Sequence, residues 1–381
     1  MKRWVIVSLI AGIISSAAIT YCIAAPSTQA QVRYFPKTNL KSQPLTATQL
    51  NLPHAAIGYL DPLSQEPICR YVGQAANNGQ IRATASLAKT ITVQVVLDHL
   101  AKQRGDSNPV LTISPEDVAG YSQAVREGGS RVQVFAGEKL TLQQAIAGIM
   151  LRSANNLADT VARWAFGSLE QYRVAATDWL ARHQIDHTTI GSDASGFNPN
   201  TTSTATDLCK IILLATKNPT LTAILRQPSV DLPLVGSVHT TNRLLGQQNI
   251  FAGKTGFNNE AGHGVLLASK LTGAMNLTIG VVNLGVASYN DAFVGASQLV
   301  DAANHDIANF TLTRDKVIGQ LQQRSGVRGI VTAAGQTVPY FVDEPPQYRI
   351  QLPSTLQNIN TSQAVVGQLQ LGTSRVNLIT K

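Results

Sequence analysis

Residues 86–100 read SLAKTITVQVVLDHL, and this stretch decides how the rest of the chain is interpreted. Apolar side chains recur on every side of a helix built from it, so that almost no polar face remains. A helix that is apolar all round is buried inside its domain. The stretch therefore predicts the central helix of a globular domain, and the helix is expected to begin at Ser86.

Two polar side chains mark the start of this helix. Ser86 and Lys89 are three residues apart, and residues at that spacing are neighbours on one helix face. A serine hydroxyl becomes a good nucleophile only when a base takes its proton. A lysine can be that base when burial or a nearby cation keeps it neutral. The pair predicts an activated serine; the simpler alternative is a helix cap beside a lysine that faces solvent.

Two further motifs lie far along the chain. Ser153-Ala154-Asn155 separates two helical stretches, at a place where polar side chains can point into a cleft. Lys254-Thr255-Gly256 follows a short β run, and the edge of a strand can pair with an extended peptide. Gly256 leaves room for such a peptide. Each motif alone is short enough to occur by chance, and only their occurrence together in one chain is informative.

The order S-x-x-K, S-x-N and K-T-G resembles that of serine acyl-enzymes that attack a D-alanyl peptide or a β-lactam ring. In particular, the chain resembles the low-molecular-mass penicillin-binding proteins, the D-alanyl-D-alanine carboxypeptidases. Ser195-Gly196-Phe197 and Thr241-Asn242-Arg243 are similar to further segments of that family. The resemblance covers roughly residues 50–308 and, more weakly, residues 362–369.

The resemblance implies an α/β (α+β) fold of the serine β-lactamase/transpeptidase type. Its main domain has an antiparallel sheet flanked by helices and a mainly helical subdomain, and a small C-terminal β domain follows. The expected divisions are a signal peptide or N-terminal membrane anchor at 1–25, a flexible linker at 26–50, the peptidase domain at 51–308 and a β-rich domain at 309–381.

The resemblance also implies a role for each motif residue. Ser153 relays a proton to the leaving group, Asn155 binds the substrate backbone, Lys254 supplies positive charge, and Thr255 holds the terminal carboxylate. The backbone N–H groups of Ser86 and Phe257 form an oxyanion hole. The expected catalytic residues are Ser86, Lys89, Ser153 and Lys254, and the expected substrate-binding residues are Asn155, Thr255, Gly256 and Phe257. No metal and no cofactor is expected.

The implied reaction removes the terminal D-Ala from peptidoglycan stem pentapeptides through a Ser86 acyl-enzyme, with β-lactams as covalent inhibitors. Endopeptidase or transpeptidase action would use the same groups. A class A-like β-lactamase needs a glutamate in an E-x-x-L-N loop; Glu170, the only glutamate between Asn155 and Lys254, has neighbours that do not fit. The departures Ala154 and Asn258 leave substrate preference open.

A zinc peptidase is the other enzyme class considered. His183 and His187 have a spacing that chelates zinc on a helix, but the usual glutamate after the first histidine is absent. A peptidoglycan-binding protein without catalysis is disfavoured because all motif residues are intact.

The N-terminus predicts export. Lys2 and Arg3 precede an apolar run that extends to Ala25, which is typical of a signal peptide cleaved after Ala24. The run is also close to the about 20 residues that span a membrane, so an uncleaved anchor is the alternative. Either way, the expected location is the outer face of the cytoplasmic membrane or the extracellular or periplasmic cell wall.

Charge and cysteine content add less. The net charge of +8 comes from scattered basic residues, which disfavours nucleic acid as a partner and suits a polyanionic envelope polymer or a membrane surface. Export permits a disulfide between Cys69 and Cys209. Because sequence cannot place them within bonding distance, two buried thiols are the preferred interpretation.

Strand patterns predict the sheet. They lie at residues 55–60, 68–72, 249–253, 264–268 and 277–282, and a helix over about 289–304 closes the domain. The last three strands are expected to be antiparallel neighbours. Thr141 with Gln144 and Ser168 with Gln171 predict two helix starts.

Overall fold

The structure, a computed structural model, describes residues 4–8, 20–25, 28–34, 47–103, 105–271, 276–323, 326–344, 348–353, 363–371 and 374–381. In chain order the strands are β1 Trp4–Ser8, β2 Thr20–Ala25, β3 Thr28–Tyr34, β4 His54–Leu60, β5 Pro67–Tyr71, β6 Arg82–Ala83, β7 Val110–Thr112, β8 Lys139–Thr141, β9 Thr202–Ser203, β10 Ser229–Leu232, β11 Gly236–His239, β12 Ile250–Asn258, β13 Gly262–Lys270, β14 Thr278–Val286, β15 Ile307–Leu312, β16 Val317–Gln323, β17 Gly326–Thr332, β18 Gln336–Phe341, β19 Tyr348–Pro353, β20 Val365–Leu371 and β21 Ser374–Thr380. The α-helices are α1 Lys89–Gln103, α2 Pro115–Arg126, α3 Leu142–Met150, α4 Asn155–Phe166, α5 Leu169–Arg182, α6 Ala205–Ala215, α7 Pro219–Leu225 and α8 Tyr289–Asp306.

The chain divides into two compact units. The larger unit comprises Thr46–Leu60 and Glu66–Asn304; the smaller unit comprises the described parts of Met1–Leu45, Asp61–Gln65 and His305–Lys381. In the larger unit a five-stranded sheet has the order β12-β13-β14-β4-β5, with every neighbouring pair antiparallel. The predicted antiparallel neighbours are confirmed, and β12 lies at the edge.

Helices cover both faces of this sheet, and β14 is therefore buried on both sides. Alternate residues of a strand point to opposite faces. Gly280 faces α6, where an added Cβ would lie 2.9 Å from Leu213 Cγ. The Asn283 amide instead donates to the carbonyl oxygens of Asp291 and Ala292 in α8, at 3.2 Å each. The expected sheet flanked by helices is therefore confirmed.

The mainly helical region packs around α1. Residues Lys89–Leu97 of α1 are buried, as the all-round apolar pattern predicts, and α3, α4, α5 and α6 all contact this helix. Thr141 and Gln144 form the predicted capping box at α3, and Ser168 Oγ accepts a hydrogen bond from the Gln171 N–H at the start of α5. Among the described residues, no single helix is long and apolar enough to cross a membrane.

The smaller unit is built from strands, as the sequence predicts for the C-terminal part. Its eight-stranded sheet has the order β1-β19-β20-β21-β17-β16-β3-β2, and β15 pairs with β18. Its core consists of small and medium apolar side chains: Leu312, Ile318, Ile330, Val338, Ile350, Val366, Leu369, Leu371, Val376 and Leu378.

The N-terminal strands lie where a leader and a linker are expected. Residues 1–3 and 9–19 of the expected leader, and 26–27 and 35–46 of the expected linker, lie outside the described residues. β3 occupies part of the expected linker. A leader acts during export, before the chain folds, so a folded structure does not test it. The leader at 1–25 and the linker at 26–50 stay predictions.

The expectation of two separate buried thiols is wrong. Cys69 in β5 and Cys209 in α6 form a disulfide, with Cα atoms 6.2 Å apart, rather than two separate buried thiols. The pairing arises because α6 packs across β4 and β5, which brings together residues 140 positions apart. No local sequence pattern encodes that approach.

Removal of this disulfide should destabilise the larger unit. It closes a loop of 140 residues, and such a cross-link stabilises mainly by restricting the unfolded chain. We expect the double substitution Cys69→Ala and Cys209→Ala to lower the free energy of unfolding by about 2–5 kcal/mol, measured by urea denaturation. Dithiothreitol should lower the midpoint of the wild type and leave that of the double variant unchanged. Equal midpoints for wild type and variant would contradict this prediction.

Candidate active site

Ser86 lies in a tight turn in front of α1. Ala85–Ala88 form a 3₁₀ turn, and the α-helix begins at Lys89 rather than at Ser86 as predicted. In a 3₁₀ turn, residues i and i+3 eclipse each other. Lys89 Nζ consequently lies 2.7 Å from Ser86 Oγ, so the helix begins later than predicted but the two side chains are in contact.

Lys89 is fully buried and contacts three oxygens. Besides contacting Ser86 Oγ, Nζ donates to Asn155 Oδ1 at 2.8 Å and to the Ser195 carbonyl oxygen at 2.9 Å. Carbonyl oxygens only accept hydrogen bonds, so these two oxygens use both N–H bonds of a neutral amine. The nitrogen lone pair then faces the Ser86 hydroxyl, which can donate to it.

The protonation of Lys89 follows from its burial. Burial lowers the pKa of Lys89 to about 7, against opposing effects of the Asp193 and Asp159 carboxylates. A substantial fraction of Lys89 is therefore neutral at neutral pH. The neutral amine is the form that can accept a proton from Ser86.

Ser153 lies where α3 has ended and α4 has not begun, as the sequence predicts. Its backbone has φ of +65°, a left-handed conformation that a non-glycine residue adopts only at a cost. Ser153 Oγ accepts a hydrogen bond from Lys254 Nζ at 2.8 Å. Asn155, the first residue of α4, uses Oδ1 to bind Lys89, so a substrate carbonyl would have to use its Nδ2 group.

Lys254 and Thr255 lie inside β12 rather than after it. Lys254 is fully buried, and Nζ also donates to the Thr255 carbonyl oxygen at 2.8 Å. Burial, and then the charge of Lys89, lower the pKa of Lys254 well below its usual value. The Thr255 hydroxyl donates to Thr241 Oγ1 at 2.8 Å, which fixes its orientation beside the buried amine.

Gly256 lies where β12 comes close to the Ser86 turn, and its expected role in substrate binding stays a prediction. A Cβ there would lie 3.0 Å from the Thr84 carbonyl oxygen and 3.1 Å from the Leu87 N atom. The missing side chain thus allows β12 to approach the Ser86 turn closely. Phe257, the next residue, is 46% exposed and stacks on His263 with ring centroids 4.1 Å apart.

The structure brings together what three separate motifs contribute. Hydrogen bonds link Ser86, Lys89 and Asn155 in one group, and Ser153 with Lys254 in another. The two groups are joined through the main chain, because Ser153 and Asn155 are only two positions apart. The Ser195 carbonyl is a third hydrogen-bond partner of Lys89 that the sequence did not predict. A main-chain carbonyl has no signature in the sequence; only the family resemblance of Ser195-Gly196-Phe197 pointed to this segment.

The side chains considered for a β-lactamase or a zinc peptidase are not arranged for either reaction. Glu170 is exposed on α5 and pairs with Arg173. α5 ends at Arg182, so His183 and His187 do not share a helix. The His183 ring instead packs against Trp179 in a tilted arrangement. Within the described ranges, no group of three or more His, Cys, Asp and Glu residues is arranged to hold a metal ion.

Comparison with known structures supports the fold. Penicillin-binding protein 5 from Haemophilus influenzae is 18% identical, with a TM-score of 0.64, over 87% of this chain and 96% of that one. Penicillin-binding protein 6B from Escherichia coli is 17% identical, with a TM-score of 0.64, over 91% and 99%. The Streptomyces K15 DD-transpeptidase is 20% identical, with a TM-score of 0.56, over 66% and 96%. These similarities show a shared fold, with the transpeptidase-type domain followed, in the two penicillin-binding proteins, by a C-terminal β domain.

Comparison of sequences identifies the family. No curated protein matches the chain significantly. The sequence profile described as D-alanyl-D-alanine carboxypeptidase, peptidase family S11, matches residues 72–285. This match covers more than half of the chain and includes all three motifs, so the protein belongs to the D-alanyl-D-alanine carboxypeptidase family S11.

Proposed function

We propose that this protein is a serine D-alanyl-D-alanine carboxypeptidase that removes the terminal D-Ala from peptidoglycan stem pentapeptides. The observation that carries the proposal is the geometry of Lys89. Nζ lies 2.8 Å from Asn155 Oδ1, 2.9 Å from the Ser195 carbonyl oxygen and 2.7 Å from Ser86 Oγ. When the amine is neutral, the two carbonyl oxygens take its N–H bonds and its lone pair is left for the Ser86 hydroxyl. A serine with a buried, partly neutral amine as its hydrogen-bond partner is an activated nucleophile.

In the first step Ser86 Oγ attacks the carbonyl carbon of the penultimate D-Ala. Its proton passes to Lys89 Nζ, and a C–O bond forms as the carbonyl oxygen becomes an oxyanion. The backbone N–H groups of Ser86 and Phe257 are the proposed donors to that oxyanion. Because β12 is an edge strand, its outer backbone groups are available to pair with the extended substrate.

The leaving D-Ala needs a proton on its nitrogen when the C–N bond breaks. Ser153 Oγ is the proposed donor, and Lys254, 2.8 Å away, is the proposed source of the replacement proton. Burial favours the neutral form of Lys254 in the free enzyme. A substrate carboxylate bound beside Thr255 would favour the charged form, so substrate binding would itself load this proton.

Water completes the reaction by attacking the acyl-enzyme. Once Lys89 has released to solvent the proton it took from Ser86, it is again the proposed base: it takes a proton from the water and gives it to Ser86 Oγ as the ester C–O bond breaks, and the product tetrapeptide leaves with Ser86 restored. A β-lactam acylates the same serine, but its leaving nitrogen stays tethered to the acyl group. Glu170, the sole glutamate between the second and third motifs, lies exposed on α5. We therefore propose slow release of penicillin rather than β-lactamase activity.

The proposed partners are peptidoglycan stem peptides, β-lactams and, if residues 1–25 are retained, the membrane. The proposed location is outside the cytoplasm, at the membrane face or in the cell wall. The disulfide between Cys69 and Cys209 agrees with an oxidising compartment.

The acceptor can be tested directly. We expect the purified protein to release D-Ala from a stem pentapeptide and leave a tetrapeptide, as observed by mass spectrometry. A cross-linked dimer tests endopeptidase action, and added glycine as an amine acceptor tests transpeptidation, the activity named for the Streptomyces K15 fold relative. Cleavage of the dimer without release of D-Ala from the pentapeptide would replace carboxypeptidase by endopeptidase. Ser86→Ala is the control, which should leave both substrates intact.

A further inference from the structure

The Ser195 carbonyl contacts Lys89 because of a short loop, residues 193–198, here called the Asp193 loop. Ser195 is 1% exposed, and its oxygen lies 2.9 Å from Lys89 Nζ. This carbonyl occupies one of the two N–H bonds of neutral Lys89. If it moved, the lone pair of Lys89 would no longer be confined to the Ser86 direction.

One carboxylate organises this loop. Asp193 Oδ1 accepts hydrogen bonds from the Ser195 N–H and the Ser195 hydroxyl, at 2.8 Å each, and from the Phe197 N–H at 3.2 Å. Asp193 Oδ2 accepts from the Asn198 N–H at 2.7 Å. All four partners are donors, and the two carboxyl oxygens of Asp193 accept from all of them. The two backbone N–H groups on Oδ1 lie on either side of the Ser195 carbonyl.

The loop is also held against the nucleophile turn and the helices. Gly196 has φ of +70°, and a Cβ there would lie 2.1 Å from the Ala85 carbonyl oxygen. The Ala194 N–H donates to Asp159 Oδ1 at 2.8 Å, and the Ala194 carbonyl accepts from Thr92 Oγ1 at 2.6 Å. The Asp193 loop therefore touches α1, α4 and the Ser86 turn, so its shape is transmitted to the reacting atoms.

We propose that Asp193 is a positioning residue for the acylation step: it fixes the Ser195 carbonyl on Lys89 and so keeps the Lys89 lone pair on Ser86. This inference rests on the proposed acyl-enzyme function and deepens it. Asp193 does not touch the substrate carbonyl; it acts through Ser195 and Lys89.

Asp193 also acts on Lys89 through its charge. The charged and titratable groups that face this centre are Asp193 in its loop, Asp159 and Arg163 on α4, Tyr172 on α5 and Lys254 on β12. Of the two carboxylates, Asp193 has the larger effect in raising the pKa of Lys89. Burial and then Asp193 raise the pKa of Asp159 to about 7. Removal of the Asp193 charge therefore also favours ionised Asp159, which offsets part of the change at Lys89.

Three variants separate position from charge. Asp193→Asn keeps the shape, removes the charge and puts an amide N–H against a backbone N–H. Asp193→Glu keeps the charge and displaces the carboxylate. Asp207→Asn is the matched control, because Asp207 is a buried carboxylate that binds the His187 N–H and Thr188 hydroxyl elsewhere in the larger unit. The readout is the rate constant for acylation by a fluorescent penicillin between pH 5 and 9, with near-ultraviolet circular dichroism to verify folding.

We expect both Asp193 variants to lower the plateau rate by about 10-fold to 100-fold, because a displaced base is poorly aligned. Asp193→Asn should also shift the acid limb of the pH–rate profile to lower pH, by up to about one pH unit. Asp193→Glu should leave the midpoint of that limb near the wild-type pH. Asp207→Asn should change neither.

Two results would overturn the inference alone: a folded Asp193→Asn protein with the wild-type plateau and limb, or an equal loss of rate in Asp207→Asn. Wild-type protein that penicillin does not acylate would instead overturn the proposed function, and this inference with it. If Asp193→Asn does not fold, Asp193→Glu carries the test. A folded Asp193→Glu protein whose plateau rate equals that of the wild type would also overturn the inference.

Discussion

Fluorescent penicillin should label the wild-type protein covalently, once per chain, and should fail to label Ser86→Ala. Ser86 Oγ lies 2.7 Å from Nζ of Lys89, the proposed base, and its removal takes away the hydroxyl that would form the ester bond. The loss should be complete on the time scale of labelling, and intact-protein mass spectrometry should show the adduct only on the wild type.

A matched serine variant makes this result specific. Ser130 lies beside the site, where its main-chain carbonyl accepts from the Asn155 N–H at 2.8 Å. Ser130→Ala keeps that main-chain contact, so its labelling should equal that of the wild type. Labelling that survives in Ser86→Ala would rule out the assignment of the nucleophile. Rapid release of hydrolysed penicillin by the wild type would favour a β-lactamase.

Replacement of Lys89 should have the second largest effect. Lys89→Met removes the base and keeps much of the volume, whereas Lys89→Arg keeps a cation that does not lose its proton. Both should lower the acylation rate constant by about 10²-fold to 10⁴-fold, the range of general-base catalysis. Stopped-flow fluorescence with penicillin measures this rate, and Lys102→Met, an exposed lysine on α1, is the control. A folded Lys89→Arg protein that acylates at the wild-type rate would exclude Lys89 as the base.

The pH dependence of acylation tests the same group without mutation. The neutral form of Lys89 accepts the proton, and burial lowers its pKa to about 7. Below that pH the amine is protonated and acylation slows; above it the neutral form predominates and the rate reaches a plateau. We expect an acid limb centred near pH 7, measured as the rate constant for acylation by penicillin. A rate that is constant from pH 5 to 9 would contradict a base of this pKa.

Much of the fold follows from local patterns in the sequence. The apolar stretch after Ser86 predicts a buried helix, and the capping pair of Thr141 and Gln144 predicts the start of α3, because both depend on residues a few positions apart. The short strand-like runs at 249–253, 264–268 and 277–282 likewise predict β12, β13 and β14. The start of α1 was misplaced by three residues, since a 3₁₀ turn and an α-helix share the same i, i+3 neighbours.

The disulfide and the Asp193 loop could not be inferred in this way. Cys69 approaches Cys209 only because α6 crosses β4 and β5. Ser195 contributes a main-chain oxygen, and any residue type has one. The close approach of β12 to the Ser86 turn at Gly256 likewise depends on contacts between segments far apart in the chain.

The sequence by itself determined which reactive groups this protein has and to which family it belongs, because residue types and their spacing are properties of the chain. Only the tertiary structure decided the protonation and the orientation of those groups. Lys89 and Lys254 have lowered pKa values because packing removes them from water. The lone pair of Lys89 faces Ser86 because Asn155 and Ser195, distant in the chain, occupy its other two directions. Burial and direction are sums over many non-local contacts, which no short motif records.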